Sequence, residues 1–147
     1  MRAPLETGLI EARRPQHDER TRPVVLVVDD DLDARAIYRD YLTVMGCRVY
    51  TARDGLVGVE MAKRKKPDVI VMDLSMPRLD GWGATAELKQ SPATRKIPII
   101  VVSAVPTSRQ EAKAAGFDGF LSKPCLPELL WLQIRNVIKP DASGEMH

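Results

Sequence analysis

Cysteine is nearly absent from this chain: Cys47 and Cys125 are its only two, far apart and without the paired spacing of metal ligands. They read as ordinary thiols rather than a disulfide staple or a zinc site. No apolar stretch approaches the roughly 20 residues needed to cross a bilayer. The amino terminus lacks the apolar core of a secretory signal, because Leu9 and Ile10 are soon followed by Glu11, Arg13 and Arg14. Neither sign of charge prevails. Lys and Arg number 22 against 20 Asp and Glu, and the net charge of +2 is too small to point to a polyanion. What is left is the composition of a globular protein, 44% hydrophobic and 29% charged over 147 residues, enough for one domain with a core and too little for two. A cytoplasmic location is expected, with no membrane and no direct nucleic-acid partner.

Residues 1–22 are polar and charged, carry Pro4 and Pro15, and keep no apolar period, so they read as a flexible extension. Beyond them, short β-branched runs alternate with helix-period segments. Strands are expected at 24–28, 48–51, 69–72, 97–102 and 117–121, and helices at 32–45, 54–66, 83–90, 107–115 and 127–138. The run Pro98-Ile99-Ile100-Val101-Val102 is apolar throughout, as in a strand covered on both faces. In the first helix Ala34, Ile37, Tyr38, Tyr41, Leu42 and Met45 recur every three to four residues, and Gly46 supplies a stop. Five strand-then-helix units imply parallel strands joined by right-handed crossovers, with helices on both faces. The foldable unit is then 23–139, an open α/β sandwich. Residues 140–147 form a short tail with no effector domain.

Ligands in such sheets bind beyond the carboxyl ends of the strands. Those ends here carry Asp29 and Asp30, then Asp73, then Ser103, then Lys123. Two carboxylates about 4 Å apart repel by roughly 4 kcal/mol at an effective dielectric of about 20, which pushes one toward protonation unless a cation intervenes. A hard divalent ion answers that need. Magnesium suits it better than calcium, since it accepts one or two carboxylates together with water and phosphate oxygens. Lys123 offers a point charge to a phosphoryl oxygen and Ser103 a hydroxyl donor. These are the parts of phosphoryl transfer to an aspartate.

The ordered set Asp29-Asp30, then Met72-Asp73-Leu74-Ser75-Met76-Pro77-Arg78-Leu79-Asp80-Gly81, then Ser103-Ala104, then Lys123-Pro124 resembles the receiver domain of two-component response regulators. The resemblance covers about residues 23 to 139 and implies a flavodoxin-like (βα)5 three-layer sandwich with a parallel sheet of order 2-1-3-4-5. It implies that Asp73 is the phosphoacceptor, fed by a sensor histidine kinase or a histidine phosphotransfer protein. Asp30 would be a direct ligand of Mg2+ (or Mn2+), Asp29 a ligand largely through water, and Ser75 a ligand through its backbone carbonyl. Ser103 would be the switch hydroxyl, Lys123 the phosphoryl-binding lysine, Lys123-Pro124 a cis peptide, and Phe120 the switch aromatic. The expected role is a stand-alone regulator that signals to a downstream protein through the face of its fourth helix, fifth strand and fifth helix. It would catalyse only its own phosphorylation and dephosphorylation. Three departures stand out: Phe120 lacks the hydroxyl of the commoner Tyr, Ser103 lacks the methyl of Thr, and no effector domain follows Lys139.

Plainer roles fit other residues. Asp31 and Asp33 suit a helix cap and a dipole partner, Asp80 a turn and helix entry, and Lys63-Arg64-Lys65-Lys66 a solvated helix end. In the last helix Leu130, Ile134, Val137 and Ile138 form the stripe that faces the sheet, while Leu129 and Leu132 point away and Trp131 lies at the margin. Those three are a candidate partner or homodimer surface; the alternative is cover by the amino-terminal extension. An aspartyl-phosphate phosphatase would share Asp73 and magnesium, but wants a second acid two residues on, where this chain has Ser75. A DNA-binding regulator would need a recognition-helix module, and none follows Lys139. A degenerate receiver serving only as a scaffold sits poorly with intact Asp29, Asp30, Asp73 and Lys123.

Overall fold

A computed structural model describes residues 21–138; residues 1–20 of the extension expected at 1–22, and residues 139–147, lie outside them. Ten elements alternate: β1 (Val24–Val28), α1 (Leu32–Val44), β2 (Arg48–Ala52), α2 (Gly55–Lys65), β3 (Val69–Met72), α3 (Gly81–Gln90), β4 (Ile99–Ser103), α4 (Arg109–Ala115), β5 (Gly119–Ser122) and α5 (Pro127–Ile138). All strand pairs are parallel, in the order β2-β1-β3-β4-β5. This is the expected flavodoxin-like sandwich. Among the described residues no helix is long and apolar enough to cross a membrane.

The unbroken apolar runs are explained by two cores, one on each side of the sheet. Leu26, Val28, Ile70, Met72, Ile99 and Val101 face Val59 and Ala62 of α2 and Ala84 and Leu88 of α3. Their neighbours Val25, Val27, Val69, Val71, Ile100 and Val102 face Tyr38 and Leu42 of α1 and Leu130 and Ile134 of α5. Successive side chains leave a strand on opposite faces, so a strand covered twice must be apolar at every position.

Several boundaries differ from expectation, each for a local reason. The third helix begins at Gly81 rather than 83, because Asp80 caps it by accepting the Gly83 N–H at 2.9 Å. The fourth begins at Arg109 rather than 107. Ser108 and Glu111 close a reciprocal capping box there, at 3.0 and 2.8 Å. β4 runs 99–103 rather than 97–102: the Ile97 N–H bonds to the Thr94 carbonyl in a turn, and the pairing extends to Ser103. β5 runs 119–122 rather than 117–121, since the Phe117 N–H still belongs to the end of α4, bonded to the Ala112 carbonyl. Asp31 caps α1, and the basic tract closes α2, with Lys66 left-handed at φ 47°. On α5, Leu130 and Ile134 are buried whereas Leu129 and Leu132 stand 48% and 50% exposed. Trp131 is half-buried with the Arg135 guanidinium over its ring, so the three residues fall where the spacing put them.

Candidate active site

The sheet order delivers the chemistry to one place. β1 and β3 are neighbours, so their carboxyl ends set Asp29 beside Asp73. The Asp73 N–H donates to the Val28 carbonyl at 3.0 Å, and the Asp29 N–H to the Ala52 carbonyl at 3.1 Å. On the other side the Lys123 N–H donates to the Ser103 carbonyl at 3.0 Å, which carries the β4–β5 pairing past the strand end and brings the lysine in. The Lys123-Pro124 peptide is cis, as the resemblance implied.

Lys123 lies between the two acids, its Nζ 2.8 Å from Asp29 Oδ2 and 3.6 Å from Asp73 Oδ2. Asp29 is well supplied with donors, for the Asp31 N–H reaches its Oδ1 at 2.9 Å while Arg35 Nη1 holds its backbone carbonyl at 2.8 Å. Asp73 is poorer. It is 7% exposed, and its carboxylate meets the Ser75 N–H at a long 3.4 Å and the Lys123 Nζ at 3.6 Å, with the Ser103 hydroxyl as a further donor. Burial, then the charge of Asp29, raise its pKa above the ordinary carboxylate range; Lys123, Ser103 and the Ser75 N–H offset this only in part. For Lys123, burial favours the neutral amine, but the hydrogen bond and charge of Asp29, with the charge of Asp73, outweigh it and raise its pKa. The lysine is a fixed cation.

Oxygens of Asp29, Asp30 and Asp73 lie within 4.8 Å of one another, with Asp30 exposed and the other two buried. Three carboxylates against one ammonium leave the cluster negative, and the donors are all hard oxygens. That set fits Mg2+ or Mn2+ and not a thiolate-seeking metal. Ser103 is buried, its Oγ accepting the Val105 N–H at 3.1 Å. Phe120 is half-buried against the α2–α3 side core and lines a cleft of about 400 Å³ beside α4.

Three residues of the surroundings escaped the sequence. Gly81 is one: a Cβ there would collide with the Asp73 carbonyl, so only glycine lets α3 start directly behind the acid. Asp54 and Arg78 are the others. Asp54 is 2% exposed and takes the Arg78 Nε at 3.4 Å, across 24 residues of sequence. The only available signal was the dipeptide Asp54-Gly55, which repeats the Asp80-Gly81 pattern of a capped helix.

Residues 25–135 match the response regulator receiver domain. Among curated proteins the chain is similar to the probable transcriptional regulator ycf27 of Porphyridium aerugineum, 34% identical over 117 residues that make up 78% of this chain and 48% of that protein. It is also similar to the response regulator PleD of Caulobacter vibrioides, 33% identical over 78% of this chain and 26% of that one. The chain thus spans about half the length of the ycf27 relatives. Among solved structures it is similar to the chemotaxis response regulator CheY4 of Vibrio cholerae, with TM-score 0.75 and 31% identity over 80% of this chain and 99% of that one. The receiver domain of a sensor histidine kinase from Pseudomonas aeruginosa, with magnesium coordinated in its active-site cleft, gives TM-score 0.73 and 30% identity over 80% and 98%.

Proposed function

The chain belongs to the response regulator receiver family of two-component signalling, and from that premise we propose that Asp73 accepts a phosphoryl group from a histidine kinase or a histidine phosphotransfer protein in the cytoplasm. The observation that carries this is the state of Asp73: a buried carboxylate pressed against Asp29, with few donors of its own and a lysine within 3.6 Å. A merely structural aspartate would be capped or fully paired. This one is held by long contacts, the Ser75 N–H at 3.4 Å on Oδ1 and the Lys123 Nζ at 3.6 Å on Oδ2, which an incoming phosphorus can displace.

In the proposed step an Asp73 oxygen attacks phosphorus, the O–P bond forms, and the N–P bond of the phosphohistidine breaks. The electron pair stays on the imidazole nitrogen, which later takes a proton from water. Asp29, Asp30, Asp73 and the backbone carbonyl of Ser75 are the groups we assign to a divalent ion, which when bound offsets charge on the phosphoryl oxygens. Lys123 is already cationic and lies between Asp29 and Asp73, so it would need only a small shift to meet an incoming oxygen. The Ser103 hydroxyl, whose Oγ accepts the Val105 N–H, donates its proton in a hydrogen bond to another oxygen. Phe120 then repacks on the α4 side, and the face of α4, β5 and α5 reports the change to a downstream protein. About 1.5 to 2 negative charges arrive with the phosphoryl group, enough to bias two such packings.

The test is incubation with acetyl phosphate and MgCl2 followed by intact mass. One phosphoryl adduct is expected in the wild type and none in Asp73→Asn or after chelation of the metal. An adduct that persists in Asp73→Asn contradicts the assignment.

A further inference from the structure

The loop that carries the phosphoacceptor, residues 73–80, is fastened to the corner between β2 and α2. The Leu79 carbonyl accepts the Gly55 N–H at 3.1 Å, and a Cβ on Gly55 would collide with that carbonyl. The Leu79 side chain joins the core, so close to α3 that a Cβ on Gly83 would meet its Cδ1 at 2.7 Å. Next to it Arg78 has a φ of 70°, a left-handed conformation rare outside glycine, asparagine and aspartate. The Leu79 N–H returns to the Pro77 carbonyl at 2.8 Å, closing a three-residue turn about Arg78. Turns of this kind with positive φ are strained and persist only where their surroundings hold them.

What holds this one is a buried acid. Asp54 Oδ1 accepts the Val57 N–H at 2.9 Å as the cap of α2, which leaves Oδ2 for the Arg78 Nε at 3.4 Å. The Arg53 Nε lies farther off, at 4.0 Å. Removing the Arg78 cation therefore leaves Asp54 with its cap and a second arginine. The contact can be cut without stranding a buried charge.

We propose that Asp54 and Arg78 form a latch that fixes the phosphoacceptor loop, making Arg78 a positioning residue for phosphoryl transfer. This rests on Asp73 being the acceptor. Arg78 lies five residues beyond Asp73 and three beyond Ser75 in the same loop, and it acts through the backbone rather than by touching phosphate. With the latch cut, the Asp73 carboxylate and the Ser75 backbone sample geometries in which transfer does not occur.

Two variants separate this role from general support of the fold. Arg78→Gly removes the cation and also relieves the left-handed strain, so its melting temperature should equal or exceed that of the wild type. Its phosphorylation by acetyl phosphate at saturating Mg2+ should nevertheless be about fivefold slower, and amide exchange of residues 74–80 about fivefold faster. Arg78→Lys keeps the charge and the strain, and should recover most of the rate. Wild-type rate and exchange in Arg78→Gly overturn the latch, as does an Arg78→Lys variant as slow as Arg78→Gly. If the wild type takes up no phosphoryl group, Asp73 is not the acceptor; faster exchange in Arg78→Gly then still upholds the latch, and equal exchange overturns it.

Discussion

Two buried aspartates stand at the same edge of the sheet, Asp54 just past β2 and Asp73 just past β3, and their surroundings treat them in opposite ways. Asp54 caps a helix with one oxygen and meets Arg78 and Arg53 with the other. Asp73 faces Asp29, a lysine already engaged by that neighbour, the Ser103 hydroxyl and one long backbone contact. Burial is alike, at 2% and 7% exposure, so solvent does not distinguish them. The partners do. A carboxylate whose lone pairs are filled at short range holds structure together; one with longer contacts, its pKa raised by burial and a like charge, suits the ligand-binding role proposed for Asp73. The stable corner and the strained acid are joined by a single loop, so the first supports the second.

The largest effect expected from breaking this contrast is on the corner. Asp54→Ala removes a helix cap and both ion pairs, and should lower unfolding free energy by about 2 kcal/mol in a urea titration, while the adduct still forms on Asp73. The opposite sign is expected at the site. Asp73→Asn relieves the repulsion with Asp29 and should raise stability by about 1 kcal/mol at pH 7. Because the folded protein binds this proton more tightly than the unfolded chain, the penalty is absent in acid and grows as pH rises through the raised pKa. The gain in Asp73→Asn should therefore fade below the ordinary carboxylate range, which unfolding curves at two pH values would check. The smallest effect lies away from both acids. Replacing exposed Leu129 and Leu132 by Ser should change stability by no more than about 0.5 kcal/mol, yet lower self-association in sedimentation if α5 is the homodimer surface.

The sequence made one acid legible and left the other hidden. Asp29, Asp73, Ser103 and Lys123 each end an apolar run, and strand ends of a parallel sheet converge by topology, so a one-dimensional pattern sufficed to bring them together. Asp54 and Arg78 meet because a loop turns through a positive φ at Arg78 and because Gly55 admits the Leu79 carbonyl. Neither condition has a periodicity. The same holds for Gly81, whose close approach to Asp73 is a tertiary fact. Likewise the ends of β4 and β5 shifted from expectation because turn and cap hydrogen bonds, not hydrophobicity, decide where a strand begins. The off-face placement of Leu129 and Leu132 was legible, since helical period alone fixes it.

Site-resolved mass spectrometry of the chain after treatment with acetyl phosphate and Mg2+, run on wild type and Asp54→Ala side by side, tests the central claim most directly. The phosphoryl group is expected on Asp73 in both, on no other carboxylate of the edge, and more slowly acquired in Asp54→Ala. Phosphate on Asp29, Asp30 or Asp54, or none on Asp73, would contradict the account.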